Sequence, residues 1–154
     1  MLTLSKLKSS GVMLAHPAPN DFDPTGWLVS EKLDGIRAVW LPGEGLFSRA
    51  ANPIHAPEWF LRSLPPIPLD GELYAGRARF QNVSSIVRKK TPIDDEWKQI
   101  RYHVFDSPGP GTTAQRLQRV KAAVAVKKSR YVVAVKQETV KSKTDLAERA
   151  KAVN

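Results

Sequence analysis

The sequence predicts an α+β fold in which antiparallel β-sheets are flanked by helices. Six short runs rich in apolar and β-branched residues, each bounded by Gly, Pro or Asp, have the pattern of strands. Helical patterns fall between these runs, but without the regular spacing of βαβ units. The strands are therefore expected to pair mostly in antiparallel fashion.

The predicted strands are residues 27–30, 36–41, 46–48, 68–74, 100–105 and 131–135. One helix is predicted over residues 57–63, where a proline opens it, and a second over 79–89, where apolar residues share one face. Either Thr112 or Thr113 could cap a longer third helix. Residues 144–153 are predicted to form the last helix.

Length and composition limit the class of protein. The chain has 154 residues, 42% of them hydrophobic and 25% charged, which is typical of one globular domain or a large part of one. The absence of cysteine excludes disulfides and cysteine metal sites, and three scattered histidines argue against zinc. No apolar run is long enough to span a membrane, so no membrane partner is expected, and the polar start indicates a cytoplasmic protein.

The net charge of +9 is concentrated in the last quarter of the chain. Residues 1–115 contain 13 Lys/Arg against 12 Asp/Glu, whereas residues 116–154 contain 11 against 3. The cluster Lys127-Lys128-Ser129-Arg130 suits a phosphate backbone, because neutralised phosphates release counterions. A solvated helix face would explain the same pattern.

The sequence Lys-Leu-Asp-Gly-Ile-Arg at residues 32–37 is the first candidate site. Asp34 and Gly35, between two apolar runs, predict a hairpin turn. A turn does not account for Lys32 or Arg37. A lysine at the mouth of a turn can be partly desolvated and become a nucleophile, and an arginine nearby offers a planar fork to a phosphate or sugar.

Three further residues extend this candidate site. Arg49 is either a surface residue or a second cation, and Glu72, after a repeated Asp-Gly pair, either faces solvent or binds a sugar hydroxyl, a divalent cation or the lysine. Phe105 is either a core residue or an aromatic face for a nucleobase. Together these residues predict a nucleotide pocket arranged for covalent attack.

Four segments carry a resemblance to a known family: EKLDGIR, FSRAANPIHAPEWF, PLDGELYAGRARFQNVSSIVRKK and YHVFDSPG. In this order they resemble the adenylation domain of ATP-dependent DNA ligases, and most closely the minimal bacterial type called ligase E. The resemblance runs from about residue 13 to the end. It implies a partial nucleotidyltransferase fold, ATP-grasp-like, and a part in DNA repair, replication or recombination.

The resemblance also implies a reaction. Lys32 would attack the α-phosphate of ATP with the help of Mg²⁺ or Mn²⁺, expel pyrophosphate and hold AMP as a phosphoramidate. AMP would then pass to the 5′-phosphate of nicked duplex DNA, and the 3′-hydroxyl would displace it.

The resemblance implies roles for the other positions as well. Arg37 and Arg49 would bind ribose and phosphate or the 5′-phosphate of the nick. Glu72 would bind the ribose hydroxyls or a metal, Phe105 would stack on adenine, and Ser30 and Glu31 would present the adenine edge.

The sequence departs from the family at its C-terminal end. The glutamate of motif IV, the lysine pair of motif V and the following OB-fold domain are missing, so residues 1–154 are interpreted as an adenylation domain incomplete at the C-terminus. Lys141 and Lys143 could be mistaken for the motif V lysines, but they match the segment just upstream of motif IV better.

Other functions remain open on the sequence alone. One is a non-catalytic remnant that binds nucleotide or DNA, and another is a related RNA ligase or capping-type nucleotidyltransferase. Relatives of the ligase E type often carry a leader peptide, so the resemblance also allows a periplasmic location.

Overall fold

The computed structural model describes residues 1–153, and its helices and strands form a mixed α/β fold. The helices are α1 Leu4–Ser10, α2 Glu58–Arg62, α3 Phe80–Val87, α4 Asp94–Trp97, α5 Thr113–Lys127 and α6 Lys143–Val153. The strands are β1 Leu28–Val29, β2 Ile36–Leu41, β3 Gly45–Ser48, β4 Pro53–Ile54, β5 Leu69–Tyr74, β6 Arg101–Asp106, β7 Val132–Ala134 and β8 Glu138–Thr139. The predicted α+β class is confirmed. None of the helices in residues 1–153 has the length and hydrophobicity that a membrane-spanning helix requires.

The described chain forms two compact units. The larger unit contains residues 1–12 and 33–134, and the smaller unit contains residues 13–32 together with the segment that begins at residue 135. The chain thus passes from the smaller to the larger unit between Lys32 and Leu33, within the Lys-Leu-Asp-Gly sequence.

The larger unit is built on a six-stranded sheet in the order β4-β3-β2-β5-β6-β7. All neighbours are antiparallel except β6 and β7, which are parallel. A tight turn joins β2 to β3, where Gly43 has a φ of +81° that favours glycine. The sheet register sets Arg37 opposite Glu72, and Glu72 opposite His103 on the other side.

One face of this sheet carries the main hydrophobic core. Alternate residues of β2, β5 and β6 pack there together with residues of α2, α3 and α5. These three strands contribute Ala38, Trp40, Leu69, Leu73, Tyr102 and Val104 to the core. The hydroxyl of Tyr102 lies 2.7 Å from the carbonyl oxygen of Ala38 and 3.0 Å from that of Leu69. Side-chain hydrogen bonding by Tyr102 of β6 thus links it to β2 and β5 inside the core.

The opposite face of the sheet is divided into an apolar part and a polar part. Helix α1 buries Leu7 against Val39, Leu41 and Phe47, which form a second small core. Alternation along β2 and β5 places Arg37 and Glu72 on this same face. A polar surface of the sheet therefore begins where the α1 contact ends.

Helix α5 has a well-defined start. The Thr112 hydroxyl accepts a hydrogen bond from the Gln115 backbone N–H at 3.2 Å, and the Gln115 side chain accepts one from the Thr112 N–H at 2.8 Å. This reciprocal capping box identifies Thr112 as the N-cap, and Thr113 is the first helical residue.

The smaller unit contains a short antiparallel ladder and a helix. Strand β1 pairs with β8, with Leu28 opposite Thr139 and Val29 opposite Glu138. Helix α6 follows β8 and ties back to it, because Arg149 forms ion pairs with both Glu138 and Asp145.

Candidate active site

The first Asp-Gly pair does not form the predicted hairpin turn. Strand β1 pairs with β8, whereas β2 pairs with β3 and β5, so Asp34 and Gly35 lead the chain into β2 instead of joining two paired strands. A Cβ atom on Gly35 would lie 2.2 Å from the carbonyl oxygen of Leu73. The glycine is required because two backbones approach closely, and the turn prediction for Asp34 and Gly35 is wrong.

The second Asp-Gly pair is not a turn either. Asp70 and Gly71 lie within β5, at an irregularity in its pairing with β6. A Cβ atom on Gly71 would lie 2.4 Å from the carbonyl oxygen of His103 and 2.9 Å from the Cα of Val104. Here too, glycine allows one strand to lie against the next.

Arg37 is held by a buried carboxylate that was not predicted from the sequence, that of Asp70. Its Nε donates to Oδ1 of Asp70 at 3.0 Å and its Nη2 donates to Oδ2 at 2.6 Å. Burial raises the pKa of the Asp70 carboxyl above its ordinary value, although the hydrogen bonds from Arg37 oppose this shift. Burial disfavours the charge of Arg37 as well, yet the Asp70 carboxylate holds the pKa of the guanidinium above its ordinary value.

This pair changes the expectation for Arg37. Two of its donors are engaged by Asp70, so the guanidinium does not present a mobile, unpaired fork to a ligand. The guanidinium carbon also lies 5.3 Å from the centroid of the Phe105 ring, within the range of a cation–π contact.

Phe105 is half-buried and lies outside the two hydrophobic core clusters of the described chain. Of the two interpretations of the sequence, the core position is therefore wrong. Its ring has Arg37 over one face.

Glu72 is half-buried between Arg37 and His103 in the sheet register. Its Oε1 accepts a hydrogen bond from the Gly35 N–H at 3.3 Å, so the carboxylate is directed toward the segment that follows Lys32. In residues 1–153, no three His, Cys, Asp or Glu side chains are grouped closely enough to hold a metal ion. Glu72 therefore fits Mg²⁺ only as a single carboxylate ligand beside substrate phosphates, which is a common way for proteins to bind this ion.

Ser30, Glu31 and Lys32 lie in the smaller unit and line a cleft of about 630 Å³. Lys32 is exposed, so the expected partial desolvation by flanking strands is absent. The cleft is also lined by Lys136, Glu138 and Arg149.

Glu138 is the most strongly perturbed carboxyl in this cleft. Hydrogen bonds from Lys136 and then from Arg149 lower its pKa from 4.5 to about 2. These three residues were not predicted from the sequence. They follow Lys32 by more than a hundred positions, and the pairing of β1 with β8 that brings Glu138 opposite Val29 has no local signal.

The remaining predicted residues are on exposed parts of their units. Arg49 follows β3 and is exposed in the larger unit. Lys141 and Lys143 are exposed at the start of α6. The candidate residues are thus distributed over both units: Ser30, Glu31 and Lys32 in the smaller, and Arg37, Arg49, Glu72 and Phe105 in the larger.

Comparison with known proteins identifies relatives of this chain. No family model matches it. A curated DNA ligase of Haemophilus influenzae is 35% identical over 139 residues, which is 90% of this chain and 50% of that protein. A solved Lig E DNA ligase is also 35% identical, with a TM-score of 0.85, over 94% of this chain and 57% of its own.

The Chlorella virus DNA ligase-adenylate shares the fold at lower identity. It is 20% identical, with a TM-score of 0.68, over 84% of this chain and 50% of that one. The fold is therefore that of a DNA ligase adenylation domain. Among DNA ligases the chain resembles the minimal ligase E type, as its sequence motifs predict. It spans about half the length of the curated relative that it matches.

Proposed function

We propose that this chain carries the first part of the adenylation site of an ATP-dependent DNA ligase, with residues 1–154 forming one part of the adenylation domain. The observation that carries the proposal is the 35% identity to a DNA ligase over 90% of the chain. The four sequence segments that resemble the nucleotide site of DNA ligases support the same proposal. The whole enzyme would join nicks in duplex DNA.

Lys32 is the proposed nucleophile. Its Nζ, as a neutral amine, would attack the α-phosphorus of ATP; a P–N bond forms, the bond to the bridging oxygen breaks, pyrophosphate leaves and the amine loses a proton to water. An oxygen of a DNA 5′-phosphate would then attack the phosphorus of the bound AMP; a pyrophosphate linkage forms, the P–N bond breaks and the lysine amine takes up a proton. The 3′-hydroxyl would attack the 5′-phosphorus of the DNA, losing its proton to water; a phosphodiester bond forms, the bond to AMP breaks and AMP leaves. A divalent cation, Mg²⁺ or Mn²⁺, would neutralise phosphate charge when bound.

The other residues would bind and orient the nucleotide. The exposed cleft position of Ser30 and Glu31 next to Lys32 supports a role in holding the base. In the larger unit, Asp70 fixes Arg37, which supports a role for Arg37 as a preorganised cation for ribose or phosphate. Arg49 would supply a second cation, Glu72 would bind the ribose hydroxyls or the metal, and Phe105 would stack on adenine.

An adenylation assay tests this proposal. The protein is incubated with α-labelled ATP and Mg²⁺, and protein-bound label that survives base and is lost in acid is measured, since a phosphoramidate has these stabilities. We expect label on the wild type and on Lys6→Ala, which removes an exposed lysine of α1, and none on Lys32→Ala. Wild-type label no higher than that of Lys32→Ala would overturn the catalytic role.

Two further arms test the alternatives. GTP in place of ATP tests a capping-type activity, and a nicked RNA in place of nicked DNA tests an RNA ligase. Nucleotide binding without any covalent label would favour a non-catalytic binding protein.

A further inference from the structure

The segment between Asp106 and Glu138 has no acidic residue. Its 31 residues contain seven Lys or Arg side chains, on α5, on the turn that follows it and just beyond β7. The adenylation reaction proposed above uses none of the six that lie in the larger unit. This excess charge therefore needs a separate explanation.

Two of these six cations are neutralised or engaged within the fold. Arg116 forms an ion pair with Asp106 at 2.9 Å and donates to the carbonyl oxygen of Gly111 at 2.9 Å. Arg119 donates to the carbonyl oxygen of Pro110 at 2.6 Å. Both side chains therefore stabilise the loop in front of α5.

The cations at the other end of α5 differ from these two. Lys127, Lys128 and Arg130, which we name the α5–β7 cation cluster, are all exposed. No ion pair joins any of the three to an acidic residue within the described chain. Three positive charges within four residues therefore face solvent without compensation.

The backbone fixes this cluster at one end of the sheet. Helix α5 ends at Lys127, and Lys128 adopts a left-handed conformation with a φ of 53° that turns the chain toward β7. Arg130 lies over the ring of Tyr131 at 5.6 Å, and that ring contacts Trp59 at 5.0 Å. Arg130 thus lies against a packed pair of aromatic rings.

The neighbouring strand adds to the positive charge. Strands β6 and β7 are parallel, with Tyr102 opposite Val132, so both begin at the same end of the sheet. Arg101, the first residue of β6, is exposed there. Of the three carboxylates of α4, Asp95 pairs with Lys98 and Glu96 pairs with Lys89. The third, Asp94, accepts a hydrogen bond from Nε1 of Trp59 at 3.0 Å, so it is the one carboxylate of α4 without a cationic partner in the described chain.

Stabilisation of the helix end explains only part of the cluster. A lysine in the last turn, such as Lys127, interacts favourably with the C-terminal end of the helix dipole. This effect is limited to the last turn and does not account for Arg130, which lies beyond the helix.

We propose that the α5–β7 cation cluster is a contact surface for the phosphate backbone of duplex DNA. The proposal rests on the proposed function, because the DNA would be the nicked substrate of the ligase. Exposed, uncompensated lysines and arginines bind phosphates by releasing condensed counterions, without reading the base sequence. The cluster positions the duplex and leaves the chemistry to the adenylation site.

The test compares two double variants that each remove two exposed lysines at the end of a helix. Lys127→Gln/Lys128→Gln alters the cluster, and Lys6→Gln/Lys8→Gln is the matched control on α1. Binding to a fluorescent nicked duplex is followed by anisotropy between 50 and 200 mM salt, after circular dichroism has verified that each variant is folded.

We expect the cluster variant to bind more weakly and to lower the slope of log affinity against log salt by about 2, since each phosphate contact contributes about 0.9. The control should keep the wild-type slope. Three outcomes would each overturn the proposed DNA contact surface. They are equal slopes in the cluster variant and the wild type, an equal loss of affinity in the control, and no binding of DNA by the wild type.

Adenylation of the same preparations separates the two proposals. The first step uses no DNA, so the cluster variant should take up label as the wild type does. A wild type that binds DNA through the cluster but takes up no label would overturn the proposed function and leave the surface intact.

Discussion

The guanidinium of Arg37 and the carboxylate of Asp70 form a bidentate ion pair across neighbouring strands. The two hydrogen bonds measure 3.0 Å and 2.6 Å, and the Asp70 side chain is fully buried while that of Arg37 is 21% exposed. The pair lies next to Glu72 in the same two strands. The buried carboxylate of Asp70 therefore fixes the position of the Arg37 guanidinium in the candidate site.

Replacing Asp70 by asparagine should destabilise the larger unit. The amide keeps the shape of the carboxyl but turns an N–H donor toward the donors of Arg37, which are left without a charged acceptor. We expect a loss of about 2–4 kcal/mol in the free energy of unfolding, somewhat less than for a fully buried pair because Arg37 is partly exposed. Urea denaturation measures it.

Asp95→Asn is the control for this change. Asp95 forms an exposed pair with Lys98 at 3.2 Å. An exposed pair contributes roughly 0–1 kcal/mol, so this variant should remain close to the wild type. Similar losses in both variants would contradict a special role for Asp70.

Gly71→Ala should also destabilise the sheet. The added Cβ would stand 2.4 Å from the His103 carbonyl oxygen, which is backbone and cannot rotate away. Strands β5 and β6 would have to separate, at a cost of about 1–3 kcal/mol or more. Thermal unfolding measures the loss, and Ser85→Ala on the exposed side of α3 should leave the melting temperature nearly unchanged.

Thr112→Ala should remove the cap of α5, whereas Thr113→Ala should not. Thr112 accepts the hydrogen bond from Gln115, and Thr113 is an exposed residue inside the helix. We expect a loss of about 1 kcal/mol for Thr112→Ala, with recovery in Thr112→Ser. Equal effects of the two alanine variants in urea denaturation would refute the assignment of the N-cap.

Glu138 should make the smaller unit sensitive to acid. Its pKa is about 2 in the folded chain against an ordinary value of 4.5, so the folded state binds fewer protons than the unfolded state between these values. The stabilisation is fully present above about pH 4.5 and is lost as the pH falls toward 2. Glu138→Gln should lose this part of the pH dependence.

Two measurements check the prediction for Glu138. Denaturation curves at several pH values compare the wild type, Glu138→Gln and the control Glu148→Gln, which alters an exposed carboxyl on α6. An NMR titration of the Glu138 side chain gives its midpoint directly. A midpoint near the ordinary value of 4.5 would show that Lys136 and Arg149 do not bind it in solution.

Most elements could be predicted from their apolar patterns and from the Gly, Pro and Asp residues that bound them. All six predicted strands and all four predicted helices are present, with bounds that differ by a few residues at most. The unpredicted elements are α1 with seven residues, α4 with four, and β4 and β8 with two each. Such segments are strands or helices because of their partners, and a local pattern cannot reveal partners.

The candidate site divides in the same way. Lys32, Arg37 and Glu72 could be predicted as site residues because each charged side chain lies close in sequence to an Asp-Gly pair. Asp70 could not be recognised as the partner of Arg37, since 33 residues separate them and the pair depends on strand register. The cleft residues Lys136, Glu138 and Arg149 could not be predicted either, because the pairing of β1 with β8 joins distant parts of the chain.

The close approach of backbones at Gly35 and Gly71 affects how related gene sequences are interpreted. At both positions any side chain would collide with a carbonyl oxygen of the adjoining strand, whether or not a nucleotide binds. Selection for a stable sheet would keep these glycines even in a descendant that had lost catalysis. A retained glycine at either position is therefore evidence of an intact sheet and does not bear on the role proposed for Lys32.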